Sequence, residues 1–197
     1  MHPLFNNVKL DYEKYITIRT YKKDEIVFEE GSKCSSIGLV ISGSIQISTF
    51  TILENEYSIN TINAGDIFGT NLLFSSSPYY LGFARCLKET KIGIINKANL
   101  IYLLQNDTDF LNNYLAFLSN KRLQIQERLK ILCQPSIREK VLFLIKSRMD
   151  KNRCVYFSSK EILAKYLNIP RPSLSRELAS MKKDKLIDYD RNRIILL

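Results

Sequence analysis

The stretch Ser159-Lys160-Glu161-Ile162-Leu163-Ala164-Lys165-Tyr166-Leu167-Asn168-Ile169-Pro170-Arg171-Pro172-Ser173-Leu174-Ser175-Arg176-Glu177-Leu178 decides the architecture. Ser158 or Ser159 caps a helix that runs through Leu167. Asn168-Ile169 is a turn. Pro170 or Pro172 opens a second helix, where proline is tolerated because the first-turn N–H has no partner to lose; this helix continues to Lys183. Counting from Lys160, the fifth residue is Ala164, small where two helices would cross. The ninth is Asn168, in a turn that asks for a left-handed residue. The fifteenth is Leu174, an apolar anchor for the second helix. Three matches at fixed spacing make a helix-turn-helix.

The flanks extend the unit. Lys185-Leu186-Ile187-Asp188-Tyr189 and Arg193-Ile194-Ile195-Leu196 alternate around the polar turn Asp190-Arg191-Asn192, as a two-stranded wing does. Val155-Tyr156-Phe157 is a short strand before the motif. Upstream, Ser136 with Glu139 three residues on forms a capping box for a helix through Ile145. Gln134-Pro135-Ser136 is a hinge, since proline ends the preceding helix.

A second helix of such a pair presents its N-terminal residues to base edges in the major groove. Arg171, Ser173, Ser175 and Arg176 are therefore the candidate base readers, with Pro172 among them. The two arginines suit bidentate contact with guanine. Ser159, Lys160, Lys182 and Lys183 are candidates for phosphate contacts, which set register but carry no sequence. Charge supports this placement. Residues 134–197 hold 15 Lys+Arg against 7 Asp+Glu, whereas residues 1–133 hold 14 against 13. Nearly all of the +9 formal charge sits in the last third, the footprint of a nucleic-acid binder.

Before the hinge, residues 109–132 contain no Gly or Pro. Leu111, Leu115, Leu118, Ile125, Leu129 and Leu132 recur in steps of four and three, with Arg122 in the one missing register. That is an a/d seam for a parallel two-stranded dimer. Tyr114, Phe117 and Leu123 form a second apolar set that would pack on the N-terminal domain. Arg122 in a seam needs a carboxylate, a solvent-filled gap or an effector. Leu118→Asp with Ile125→Asp is expected to give monomers.

All seven glycines precede residue 94. Short alternating runs lie between turns: 15–20, 26–30, 37–41, 44–50, 57–62, 81–86 and 91–95. Ser42-Gly43 reads as a hairpin turn and Ile45 and Ile47 as inward. Strands at this spacing make an antiparallel β-roll of the jelly-roll kind. Gly69-Thr70-Asn71-Leu72-Leu73-Phe74 is either a short helical turn whose N–H groups face an anion or an ordinary loop. With no basic neighbour in sequence, the loop is preferred.

The fold class is thus α+β, in three parts: 1–108, an effector-type β-roll; 109–133, a dimerisation helix; 134–197, a winged helix-turn-helix. No apolar run reaches membrane-spanning length, and the N-terminus lacks an export signal, so the expected location is cytoplasmic. Cys34, Cys86, Cys133 and Cys154 are scattered without a CxxC pair, and His2 is the only histidine. Metal centres and nucleophilic triads lack their residues, so no enzyme is expected.

The order of these parts resembles the Crp/Fnr family of bacterial transcription regulators, over nearly the whole chain. The carriers are Leu39-Val40-Ile41-Ser42-Gly43-Ser44-Ile45-Gln46-Ile47, Ala64-Gly65-Asp66-Ile67-Phe68-Gly69, Ser136-Ile137-Arg138-Glu139-Lys140-Val141, the block from Ala164 to Leu178, and Lys185-Leu186-Ile187. The resemblance implies a homodimer on a palindromic double-stranded DNA operator, with RNA polymerase as partner where transcription is activated. Arg171, Ser175 and Arg176 match the family's base-reading stretch. Pro172 stands where many members keep a glutamate, so the operator should differ from the common one.

The effector side departs from the family. Members that bind cAMP open the phosphate cassette with Gly-Glu and close it with Arg-Ser or Arg-Thr; here stand Gly69-Thr70 and Tyr80-Leu81. Asn71 and Arg122 complete the effector candidates. Arg85 is either a substitute cation or a surface strand residue. The cysteine cluster of iron–sulfur members and the pattern of haem-binding members are absent. The expectation is therefore no cofactor: neither cAMP, haem nor an iron–sulfur cluster, with an unknown small molecule left open. The alternative function is a ligand-sensing β-roll that acts through protein contacts without DNA.

Overall fold

A computed structural model describes residues 2–197. The chain forms two compact units, residues 1–119 and 120–197.

The first unit is built on two antiparallel sheets of four strands. One has the order β1 (Thr17–Tyr21), β8 (Thr90–Asn96), β3 (Ser36–Ser42), β6 (Ile67–Phe68); the other has β2 (Ile26–Phe28), β7 (Phe83–Cys86), β4 (Ser44–Phe50), β5 (Glu56–Asn63). Alternation along the strands turns Val40 and Ile92 of one sheet toward Ile45, Ile62, Ala84 and Cys86 of the other, with Phe68 and Tyr21 between them. This is the antiparallel roll expected from the short alternating runs.

Ser42-Gly43 is not the hairpin turn that the sequence suggests. β3 pairs with β6 and β8, and β4 with β5 and β7, so the chain crosses here from one sheet to the other. The crossing runs hard against β8. A Cβ on Gly43, at φ +94°, would lie 2.6 Å from the Thr90 Cα. The Thr90 hydroxyl bridges the junction, donating to the Lys88 carbonyl at 2.8 Å and accepting from the Ser44 N–H at 3.2 Å. A β-bulge between Ile47 and Ser48 then switches the face of β4. Ile47 is only half-buried, whereas Ser48 is sealed.

A helix that the sequence reading passed over, α1 (Lys97–Asn106), follows β8. α2 (Thr108–Leu132) starts two residues later and runs through the division between the units. Leu100 and Leu103 of α1 and Phe110 and Tyr114 of α2 pack with Leu4, Phe5, Ile37 and Ile95 into a second cluster. Asp107 ties this cluster together. One carboxylate oxygen accepts the N–H groups of Lys9 and Leu10 at 2.8 and 3.1 Å, and the other accepts that of Phe110 at 2.8 Å. Burial pushes this carboxyl upward, but the backbone N–H groups outweigh it and hold it below its ordinary value. A depressed acid stabilises above its unfolded value, near pH 4, and that contribution is lost as pH falls through the folded one. Asp107→Ala should cost about 1–3 kcal/mol, because three amides lose an ionised acceptor. Thermal melts at pH 7 and pH 3 check this: the gap between wild type and variant should narrow in acid.

The second unit has one core. Ile131 of α2 joins Val141, Leu144 and Ile145 of α3 (Ile137–Arg148), Leu163, Ala164 and Leu167 of α4 (Lys160–Leu167), and Leu174, Leu178 and Met181 of α5 (Arg171–Lys183). A small antiparallel sheet of order β10 (Ile187–Tyr189), β11 (Arg193–Leu196), β9 (Cys154–Tyr156) closes it through Val155, Ile187 and Ile194. No helix among the described residues is long and apolar enough to cross a membrane.

Candidate nucleic-acid interface

Local chemistry sets each helix end of the second unit. Ser136 caps α3: its hydroxyl oxygen accepts the Glu139 N–H at 3.1 Å, the first half of the expected capping box, and the Glu139 carboxylate takes the Ser136 hydroxyl proton at 2.6 Å where a full box has it accept the cap N–H. Of the two serines offered for α4, Ser159 is the cap, accepting the Ile162 N–H at 3.2 Å. Asn168 ends α4 in the left-handed region, φ +52° and ψ +52°. Pro170 is the N-cap of α5. Ala164 and Leu174, the signature positions, both lie in the core where α4 meets α5. At Asn168, glycine should be tolerated within about 0.5 kcal/mol, whereas Asn168→Val should cost roughly 1–2 kcal/mol through its branched Cβ. Urea denaturation of the two variants tests the turn.

α5 buries Leu174, Leu178 and Met181 and leaves its first turn and a half exposed on the opposite face. Arg171 and Arg176 stand there, exposed and without an acidic partner among the described residues. The Arg176 guanidinium touches only the Ser173 hydroxyl, at 3.4 Å. Ser173 and Ser175 are half-buried beside them. The neighbouring acid, Glu177, is spent on Arg138 of α3 at 2.7 Å, and Asp184 holds the other end of that guanidinium at 2.8 Å. These bonds raise the Arg138 pKa, so the charge is permanent, and they clamp α5 onto α3.

The phosphate candidates divide. Lys183 is exposed. Lys160 lays its ammonium over the Tyr189 ring at 4.4 Å. Ser159 already spends its oxygen on the cap, though its proton is free to donate. Lys182 is engaged, with Nζ 2.6 Å from Asp188 on β10. Each partner favours the charged form of the other, raising the lysine and lowering the aspartate. The sequence offers Lys182 as a phosphate contact; an acid six residues away across a turn gave no signal of this pairing. Sequence reading also missed Arg148, which donates to Glu127 of α2 at 2.9 Å and to the Tyr166 hydroxyl of α4 at 2.6 Å. It links the end of the seam helix to the first helix of the motif.

On α2 the seam is largely unburied. Leu115, Ile125 and Leu129 are 52%, 54% and 55% exposed. Leu111, Leu118 and Leu132 are half-buried, and Arg122 is exposed. Tyr114 and Phe117 pack inward as expected. Leu123 does not: it is 60% exposed, because a step of six from Phe117 carries it round the helix.

In the first unit the effector candidates do not form a phosphate cradle. Gly69 opens a turn in which Leu72 and Leu73 both donate to its carbonyl, at 3.1 and 3.0 Å, with Thr70 half-buried and Asn71 exposed. Tyr80 stacks on Phe28 at 3.7 Å between centroids, and Leu81 points out, 80% exposed. Burial, and then the Cys34 thiol beside it, push the Tyr80 hydroxyl far above the phenol range. Arg85 alternates with the inward Ala84 and Cys86, so it lies on the outer face of its sheet. There it pairs with Glu56 at 3.5 Å and rests on Phe83. It is the surface residue of the two readings. The cation that the fold does bring to the turn is Lys97, whose ammonium sits 5.0 Å over Phe74. The ribose carboxylate and phosphate arginine that a cyclic nucleotide calls for are thus not supplied, and these residues do not fit that ligand.

The model of the cyclic nucleotide-binding domain family matches residues 18–107. The anaerobic regulatory protein of Bacillus subtilis is 24% identical over 194 residues, covering 94% of this chain and 81% of that protein. A CooA mutant from Carboxydothermus hydrogenoformans superposes with a TM-score of 0.65 at 17% identity, over 98% of this chain and 89% of the other. The catabolite activator protein of Thermus thermophilus gives 0.58 at 17%, over 99% and 93%.

Proposed function

We propose that the chain, whose residues 18–107 match the cyclic nucleotide-binding domain family, is a transcription regulator of the Crp/Fnr type that binds a palindromic double-stranded DNA operator as a homodimer. One observation carries this reading: the exposed start of α5 offers two guanidiniums, Arg171 and Arg176, with no acidic partner among the described residues. The electrostatics agree. Residues 120–197 hold 19 Lys+Arg against 8 Asp+Glu, whereas residues 1–119 hold 10 against 12. The whole surplus therefore belongs to the unit with the helix-turn-helix.

The mechanism follows from the parts. α5 enters the major groove and its arginines read guanine, while Lys160, Lys183 and the α4 N-terminus hold phosphates. A second copy, joined along α2, places a second α5 one helical turn away. Where the protein activates, RNA polymerase is its partner. Its effector is not cAMP; the operator is bound without a nucleotide, and any small-molecule control uses a different chemistry.

Selection of random duplexes on the purified protein, without added ligand, tests this. The expected result is an enriched palindrome whose binding falls steeply with salt. Absence of enrichment together with salt-independent, weak binding would favour the other class of function, a β-roll module that works through protein contacts.

A further inference from the structure

The wing tip carries a further exposed cation with no acidic partner among the described residues. Asp190, Arg191 and Asn192 form the turn between β10 and β11. Asp190 is fully committed. One carboxylate oxygen accepts the N–H groups of Asn192 and Arg193, at 2.9 and 3.1 Å, and the other takes the Arg193 guanidinium at 2.7 Å. Its own N–H donates to the Arg193 carbonyl at 3.1 Å, and the Asn192 carbonyl accepts the Phe157 N–H at 2.8 Å. The turn is therefore pinned on both sides. Arg191 is exposed at its tip and forms no ion pair among the described residues.

The tip is also fixed to the reading helix. Lys182 of α5 holds Asp188 at 2.6 Å, Ile187 is in the core beside Met181, and Lys160 of α4 covers Tyr189. An element held rigidly beside a helix in the major groove overlies the flanking phosphates and the next minor groove. The chemistry of the tip suits the groove floor. An A·T pair presents only acceptors there, A N3 and T O2, whereas G·C adds the N2 amino donor. The tip offers the Arg191 guanidinium, which only donates, and the Asn192 side-chain amide, whose NH2 donates beside a carbonyl that accepts, with its one carboxylate already consumed. A·T tracts narrow the groove and deepen its negative potential, which draws arginine.

Building on the DNA-binding reading above, we infer that Arg191, aided by Asn192, enters the minor groove flanking each half-site and selects A·T pairs there. This assigns a specificity contact outside the recognition helix.

The test uses the full chain and one selected core site carrying flanks of A·T, G·C or inosine·C. Inosine lacks the N2 amino group, so its minor groove resembles A·T while its major groove resembles G·C. Wild type should bind A·T flanks about tenfold tighter than G·C, and inosine·C should recover most of that difference. Arg191→Ala should bind all three alike, near the wild-type value for G·C flanks, with an unchanged melting temperature because the tip is exposed. Arg191→Lys keeps the charge and loses the planar fork, so its preference should shrink without a matching loss on G·C. Uniform weakening of all three duplexes by Arg191→Ala would reduce the residue to a phosphate contact and overturn the inference. So would inosine·C behaving as G·C. Absence of binding to any duplex would sink the DNA reading itself, whereas core binding without flank preference removes only the wing contact.

Discussion

Arg176→Ala is expected to weaken operator binding by roughly 30-fold to about 10^4-fold while leaving the fold intact. The range follows from one bidentate guanine contact, ~1–3 kcal/mol, counted once in each of two half-sites. The fold is spared because the side chain is exposed and touches only Ser173, at 3.4 Å. Loss of a positive charge alone would be milder and would act on every sequence equally. Arg176→Lys separates the two effects. It keeps the charge but not the planar fork, so general affinity should survive while discrimination at the contacted base pair collapses. Fluorescence anisotropy on the selected operator and on single-base variants measures both. Retention of full discrimination by Arg176→Ala would remove this residue from the reading set and move the contact to Arg171.

The motif was legible because its constraints are local. Helix caps, a left-handed turn and a small residue at a crossing are each written within a few positions, and Ser136, Ser159, Asn168 and Ala164 all carry them out. Pairing between distant strands is not written that way. Period-2 alternation on either side of Ser42-Gly43 fits a hairpin and a sheet-to-sheet crossing equally. The choice is made by Thr90, almost fifty residues on, whose hydroxyl occupies the junction. α1 was missed for a related reason: Leu100-Ile101-Tyr102-Leu103-Leu104 is a continuous apolar run, and its helical phase shows only in which leucines the core takes.

The site was half legible. The cations could be counted from sequence, but not which of them an acid would claim. Asp190 could have paired with Arg191 or Arg193, and Asp188 with Lys182 or Lys185. The turn geometry chose Arg193 and Lys182. Arg171, Arg176, Lys183 and Arg191 are among the cations that remain exposed and outside any ion pair after that assignment, together with Lys146, Lys151, Arg153 and Lys185. Arg85 shows the converse. Its type fits an anion site, but its parity on β7 turns it outward to Glu56.

Ile125→Asp combined with Leu129→Asp is expected to convert the protein to a monomer and to weaken operator binding by about 10^3-fold. Leu115, Ile125 and Leu129 each leave about half their surface in water. Covering such a residue gains on the order of 1 kcal/mol, and two copies of the seam double the gain. Aspartates at successive a and d positions remove that gain and set four carboxylates against one another across the axis. The double variant Leu118→Asp with Ile125→Asp, suggested by spacing alone, is less clean: Leu118 also packs on the Phe110–Tyr114 cluster of the first unit, so its loss would confound folding with assembly. Arg122 works in the same sense as the aspartates. No carboxylate lies within a turn of it, and Glu127, the nearest on α2, is held by Arg148 at 2.9 Å. Arg122→Leu should therefore tighten the dimer, through an apolar layer in place of two facing guanidiniums. Light scattering reads both variants directly. The operator requires two half-sites to be held at once, so the monomer should keep its salt-dependent general affinity and lose the advantage of the palindrome. A double aspartate variant that still scatters as a dimer would show that the seam is not the interface.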